Sequence, residues 1–275
     1  MRRRAEDYPF FDIPGPIAIA HRGGNLAGME NQNTMEAFES AQKAGLVYVE
    51  TDVVSSKDEK AIVLHILDWW IDAWLSKEEW RRPIQRQTHS NIIKRLVDKG
   101  RGEPPLLEQA LSDLPNLRFF IDPKTDRAVE PVANAIKSQR AEDRVCIGSF
   151  NSRRILHAAE LLDHKVSTSF LKHRAFLLRK AGVRLERILE NTEVNSLQIV
   201  HNLIQKATVE QLQESGIKVI AWPKKGHPEE PRAYDTPEYI EAALDAGLHG
   251  LMSDHTEEMK KAVLTRDPDN RSIRR

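Results

Sequence analysis

The sequence predicts an α/β barrel, a closed ring of eight parallel strands wrapped by helices, with one strand outside the regular order. Short apolar runs alternate with amphipathic stretches over nearly the whole chain, the pattern of βα units around a parallel sheet. The length of 275 residues suits a barrel, which stands as one unit at about 250 residues. Gly45, Gly216 and Gly247 each follow a helix-like run, where a left-handed C-cap residue is expected.

Strands are expected at 17–21, 47–53, 61–65, 117–122, 145–150, 165–169, 196–200, 218–222 and 250–253. Helices are expected at 34–44, 91–99, 106–114, 128–138, 152–162, 207–215 and 237–246. Nine strands exceed the eight of a barrel, and residues 55–60 are too short for a crossover helix. The run 61–65 is therefore read as the return arm of an antiparallel hairpin. A turn centred on Lys57-Asp58 brings His65 opposite Glu50, and one centred on Asp58-Glu59 brings it opposite Asp52.

The first strand closes on His21-Arg22-Gly23-Gly24, where a barrel carries its active-site loops. An imidazole there can exchange protons near neutral pH, Arg22 can grip a phosphate with two prongs, and the glycines let backbone N–H groups approach closely. Taken alone, the motif equally describes a capped strand end with a satisfied histidine. On the next strand Glu50 and Asp52 are two apart and leave on one face. Asp122 ends a further apolar strand, with Lys124 two residues on. Converging carboxylates repel unless a cation intervenes, and an all-oxygen set favours Mg²⁺ or Ca²⁺ over zinc. Any one of these pairs by itself reads as ordinary surface charge.

Lys plus Arg (41) equals Asp plus Glu (41), so no global field recruits nucleic acid or an anionic membrane. Hydrophobic residues make up 40% and charged residues 30%, as in a soluble globular protein. Arg2-Arg3-Arg4 is followed by Ala5-Glu6-Asp7 rather than an apolar segment, and no run is long enough to span a bilayer; a cytoplasmic chain is expected. Cys146, the single cysteine, reads as a buried inert thiol. Residues 1–275 read as one domain with a core at about 15–263 and a charged tail, 266–275, expected to fray.

Several of these stretches together resemble the glycerophosphodiester phosphodiesterase family. The resemblance is carried in order by Ala20-His21-Arg22-Gly23-Gly24, Asn33-Thr34-Met35-Glu36-Ala37-Phe38, Glu50-Thr51-Asp52-Val53, Val63-Leu64-His65, Pro105-Leu106-Leu107-Glu108 and Ile121-Asp122-Pro123-Lys124. Gly148-Ser149-Phe150, Val219-Ile220-Ala221-Trp222 and residues 247–254 agree with it. It implies a TIM (β/α)8 barrel and a phosphoric diester hydrolase. It implies His21 and His65 as the acid/base pair and Glu50, Asp52 and Asp122 as ligands of one divalent metal ion, Mg²⁺ or Ca²⁺. Substrate contacts fall to Arg22, Lys124, Asn33 and Trp222. The implied reaction is attack by a neighbouring substrate hydroxyl followed by opening of the cyclic phosphate. The expected substrates are small glycerophosphodiesters or lysophospholipid-like phosphodiesters.

The sequence departs from the family pattern at Gln32, where Glu-Asn-Thr is usual, at Asp58-Glu59 in place of Asp-Gly, at Ile66 in place of Asp, and at Pro123. With Cβ atoms in the turn, a residue at φ > 0 costs about 1 kcal/mol. Two rival readings stand beside this one: a lyase or specialised-metabolite enzyme, and, motivated by Gln32 and Ile66, a non-catalytic phosphodiester-binding module. Trp69, Trp70, Trp74 and Trp80 form a Trp-rich insertion after His65. Trp70 and Trp74 at i,i+4 read as a helix packed over the barrel mouth, or more sharply as a lid for an apolar substrate or a peripheral membrane contact through 69–80.

Overall fold

The computed structural model describes residues 4–13, 15–65, 84–98, 102–171, 194–200, 205–222 and 236–274. The strands are β1 (Ile17–Ala20), β2 (Tyr48–Ser55), β3 (Ala61–Val63), β4 (Arg118–Pro123), β5 (Val145–Ser149), β6 (Ser167–Leu171), β7 (Ser196–Val200), β8 (Lys218–Trp222) and β9 (Gly250–Ser253). Eight of them are parallel and run β1-β2-β4-β5-β6-β7-β8-β9, with β9 pairing back to β1. The ring is a TIM barrel, as expected, and β3 is the strand left outside it. The Trp-rich insertion, with Ile66, lies outside the described residues.

The described helices are α1 (Met35–Lys43), α2 (His89–Asp98), α3 (Leu107–Asp113), α4 (Val129–Ser138), α5 (Ser152–Leu161), α6 (Lys206–Glu214), α7 (Pro237–Asp245) and α8 (Thr256–Arg266). The first seven fall where the apolar spacing places them. The eighth was not expected, because among its residues only Thr256, Met259 and Val263 are buried and it shows little apolar periodicity. Side chains alternate across the barrel wall. Val49, Phe119, Ile147, Leu197, Val219 and Leu251 face the helices, whereas Ile19, Tyr48, Phe120, Cys146, Ile220 and Met252 face the lumen. Burial pushes the Cys146 thiol up to about 12, consistent with an inert lumen residue.

The floor of the lumen is closed by the N-terminal segment. Phe10 is fully buried and makes edge-to-face contacts with Tyr48, at 5.3 Å between centroids, and Phe120, at 4.7 Å. Tyr48 Oη donates to the Phe10 carbonyl at 2.7 Å, and Arg118 Nη1 donates to the carbonyls of Pro9 and Phe10.

Two expectations are corrected. The hairpin register pairs Val53 with Val63, Val54 with Ile62 and Ser55 with Ala61, so neither expected register forms. The connection is longer than a two-residue turn: Ser56 N–H donates to the Lys60 carbonyl at 3.1 Å, and Glu59 takes φ 59°. That register alone would put His65 on the far face from Glu50 and Asp52. The ladder ends at Val63, however, with Leu64 N–H still donating to the Asp52 carbonyl at 3.0 Å, and His65 lies beyond it.

The tail does not fray over residues 267–274. Ile273 bridges to Leu46, Val47 N–H donates to the Ser272 carbonyl at 3.0 Å, and Ala18 N–H donates to Ser272 Oγ at 3.1 Å. Asn270, Ser272 and Ile273 are buried there, while Arg271 stays in solvent. The tail's charge describes its outer side only.

Candidate active site

The parallel strands all present their C-terminal ends at one mouth, and the sequence-predicted residues cluster there. His21 follows β1, Glu50 and Asp52 lie on β2, Asp122 is near the end of β4 and Lys124 just beyond it. His21, Glu50, Asp52, His65 and Asp122 are all buried. Arg22 adopts φ 53°, a left-handed conformation costing roughly 1 kcal/mol in a non-glycine residue. That kink aims its backbone N–H at Glu50 Oε2, 3.2 Å away, and its side-chain Nε at Asp52 Oδ2, 2.8 Å away. Gly23 follows at φ 86°, and a Cβ there would stand 2.7 Å from that of Ala37, so only glycine lets α1 pack against this turn.

Asn33 is buried at φ 61°, just before the Thr34 cap of α1. Its amide donates to Asp52 Oδ2 at 3.2 Å, and its Oδ1 accepts from Thr51 Oγ1 at 3.0 Å and from Asp52 N–H at 3.3 Å. The asparagine therefore braces Asp52 from the side. Lys124 Nζ reaches both Asp52 Oδ1, at 2.5 Å, and Asp122 Oδ2, at 2.6 Å. Trp222 is half-buried at the end of β8 and meets Phe150 edge-on at 5.7 Å, forming an aromatic wall on the far side of the mouth.

The electrostatics are uneven. Burial, reinforced by the charge of Asp52, raises the Glu50 carboxyl to about 7. Asp52 is equally buried, but Lys124, Arg22 and then His65 hold it well below the usual carboxylate range. His65 is thus close enough for its charge to act on Asp52. Burial lifts Asp122 despite the opposing lysine, and Lys124 is held charged by Asp122 and Asp52 against its own burial.

His21 has a partner that sequence reasoning missed. Its Nδ1 lies 2.8 Å from Asp254 Oδ1, just past β9, and its Nε2 lies 3.8 Å from Glu50 Oε2. With a carboxylate at Nδ1, that nitrogen carries the proton and Nε2 faces the acidic side of the mouth. Gln32 Nε2 donates to the same Asp254 oxygen at 2.5 Å. A glutamate at position 32, as in the family pattern, would set a second carboxyl against Asp254, whereas the amide donates. Asp254 could have been suspected from its place at a strand end on the mouth side; no periodicity marks it.

As a set of donors, Glu50, Asp52 and Asp122 suit a hard divalent cation. Among the described residues no three His, Cys, Asp or Glu side chains converge closely enough to hold one as they stand. The Lys124 ammonium takes the position between Asp52 and Asp122, so a shared cation requires its withdrawal.

The chain is similar to known proteins over most of its length. A family model described as "Glycerophosphoryl diester phosphodiesterase family" matches residues 21–73. A Mycobacterium tuberculosis protein named "Probable glycerophosphodiester phosphodiesterase 2" is 30% identical over 260 residues, covering 92% of each chain. The "Glycerophosphodiester phosphodiesterase" of Caldanaerobacter subterraneus is 24% identical, covering 90% of this chain and 97% of its own. Among solved structures, an Oleispira antarctica phosphodiesterase in complex with the product sn-glycerol-3-phosphate superposes with a TM-score of 0.69 at 17% identity, covering 93% of this chain and 99% of its own. With 30% identity over 92% of its length to the Mycobacterium tuberculosis protein, the chain belongs to the glycerophosphodiester phosphodiesterase family.

Proposed function

We propose that the protein hydrolyses phosphodiesters of glycerol with a divalent cation and a pair of histidines. The observation that supports it best is the convergence of His21, Arg22, Glu50, Asp52, Asp122 and Lys124 at the C-terminal mouth of the barrel, in a chain of this family. Glu50, Asp52 and Asp122 would hold Mg²⁺ or Ca²⁺, which when bound supplies Lewis-acid stabilisation of phosphoryl charge. Arg22 and Lys124 neutralise a phosphate at the same place. His21, its Nδ1–H directed to Asp254, presents Nε2 to take or give a proton. His65 serves as its counterpart. One histidine takes the proton of the attacking hydroxyl neighbouring the phosphate, and the other protonates the departing alkoxide. Water then opens the cyclic phosphate to the monoester, the product class bound in the Oleispira relative.

Purified protein incubated with sn-glycero-3-phosphocholine is expected to release choline and glycerol phosphate only with Mg²⁺ or Ca²⁺ present, followed by phosphorus NMR. EDTA and Asp52→Asn should each abolish release. Accumulation of a cyclic phosphate identifies the lyase-like rival, and binding without turnover identifies the binding module. Calorimetric titration of each metal into the chelated protein decides between the two ions.

A further inference from the structure

Gln198, on β7, is 3% exposed, and its Oε1 has no hydrogen-bond donor among the described residues. Ser169, on the adjacent β6, is fully buried, and its Oγ likewise has no partner among them. Buried oxygens of this kind are nearly always satisfied in a native protein, so two on neighbouring strands mark a place for donors that the described residues do not supply. Both face the lumen. Ser167 pairs with the lumen residue Cys146, Ser169 with Ser196 and Leu171 with Gln198, while the intervening Phe170, Leu197 and Ile199 belong to the outer core.

Inward side chains of such a barrel fall into layers supplied by alternate strands. The observed registers put Glu50, Gly148, Gln198 and Met252 in one layer. β2 and β7 are opposite in the ring of eight, so Gln198 confronts Glu50 across the lumen, and Gly148 adds no side chain between them. His21, Asp122 and Trp222 form the layer above. Ile19, Phe120, Ser169 and Ile220 form the layer below, closed in turn by Tyr48 and Phe10.

We infer that Gln198, with Ser169 beneath it, is the floor of a polyol subsite in which Gln198 Oε1 accepts a hydrogen bond from the terminal hydroxyl of the substrate's glycerol arm. This rests on the phosphodiesterase reading and names the substrate class: glycerol esters with that hydroxyl free. The phosphate is held at the mouth by Arg22 and Lys124, so one ester arm points down the lumen and the other outward. The lower arm ends against Ile19, Phe120 and Ile220. A hydroxyl finds an acceptor there, whereas an acyl chain on the same oxygen meets a closed wall. Lysophospholipids acylated at that position are excluded by the same feature.

The test compares sn-glycero-3-phosphocholine with the phosphocholine diester of propane-1,2-diol, which keeps the neighbouring hydroxyl and lacks the terminal one. The wild type is expected to prefer the glycerol compound in kcat/KM by about 10-fold, near the 1.4 kcal/mol of one hydrogen bond. Gln198→Met should lose about 10-fold on the glycerol compound and leave the propanediol compound unchanged. No wild-type preference, an equal loss on both compounds in a variant of wild-type Tm, or comparable wild-type turnover of 1-acyl lysophosphatidylcholine would each overturn the subsite. If Gln198→Met does not fold, Gln198→Asn, whose acceptor sits on a shorter arm, is read by the same comparison. Turnover of neither compound by the wild type would instead sink the hydrolase reading, and the subsite with it.

Discussion

Asp254 sets the orientation of His21, and Gln32 sets the charge around Asp254. Asp254→Ala should lower kcat by about 10²-fold with little change in KM, the scale of one general acid–base contribution. Asp254→Asn still offers an oxygen to Nδ1–H and should recover part of that loss; indistinguishable kinetics for the two variants would count against the orienting role. A second residue-scale effect concerns stability. His249 Nδ1 accepts from Val219 N–H at 3.2 Å, and burial, aided by the charge of Lys218, lowers its pKa to about 4. An unfolded histidine takes a proton as pH falls through about 6.5, whereas the folded one resists until about 4, so stability is lost across that window and is unaffected above it. Allowing for its partial exposure, the loss is about 2 kcal/mol. Thermal melts of His249→Gln should show a shallower decline than wild type between pH 6.5 and 4 and the same slope above pH 7.

At the scale of elements, the β2–β3 hairpin was legible because six residues cannot contain a crossover helix. Its register was not. Period-2 alternation constrains parity, and a loop one residue longer than a tight turn, with Glu59 at φ 59°, reverses it. Glu59→Gly should relieve this strain and raise stability by about 1 kcal/mol, seen as a higher denaturant midpoint at unchanged m-value. The C-terminal segment was misread for a different reason. Its arginines advertise solvent, but Ser272 and Ile273 between them supply hydrogen bonds and an apolar side chain to the barrel wall. Removing residues 268–275 forfeits one buried isoleucine and four hydrogen bonds to residues 16–47, roughly 4 kcal/mol. Tm should fall by about 10 °C, and an unchanged melt would show that the segment contributes nothing.

For the whole molecule, the two ends of the barrel divide the work. The floor is packed by Phe10, Tyr48 and Phe120 and fastened by Arg118, remote from the carboxylates at the mouth. Phe10→Ala is expected to cost about 3–5 kcal/mol, measured by chemical denaturation, while metal affinity under native conditions stays within about twofold. A variant of normal stability would place the core elsewhere.

The sequence by itself determined the barrel, because the period of the apolar pattern and the length of the connections leave few other ways to bury nine apolar strands. It also placed Glu50, Asp52 and Asp122 at one end of adjacent strands, since inward parity at the ends of parallel strands is local information. Only the tertiary structure decided what those groups touch. That Asp254 meets His21 across 233 positions, that Lys124 reaches Asp52 on the neighbouring strand, and that Gln198 confronts Glu50 across the lumen all follow from strand pairing, ring closure and stagger. Those are properties of the closed sheet, and no window of residues along the chain contains them.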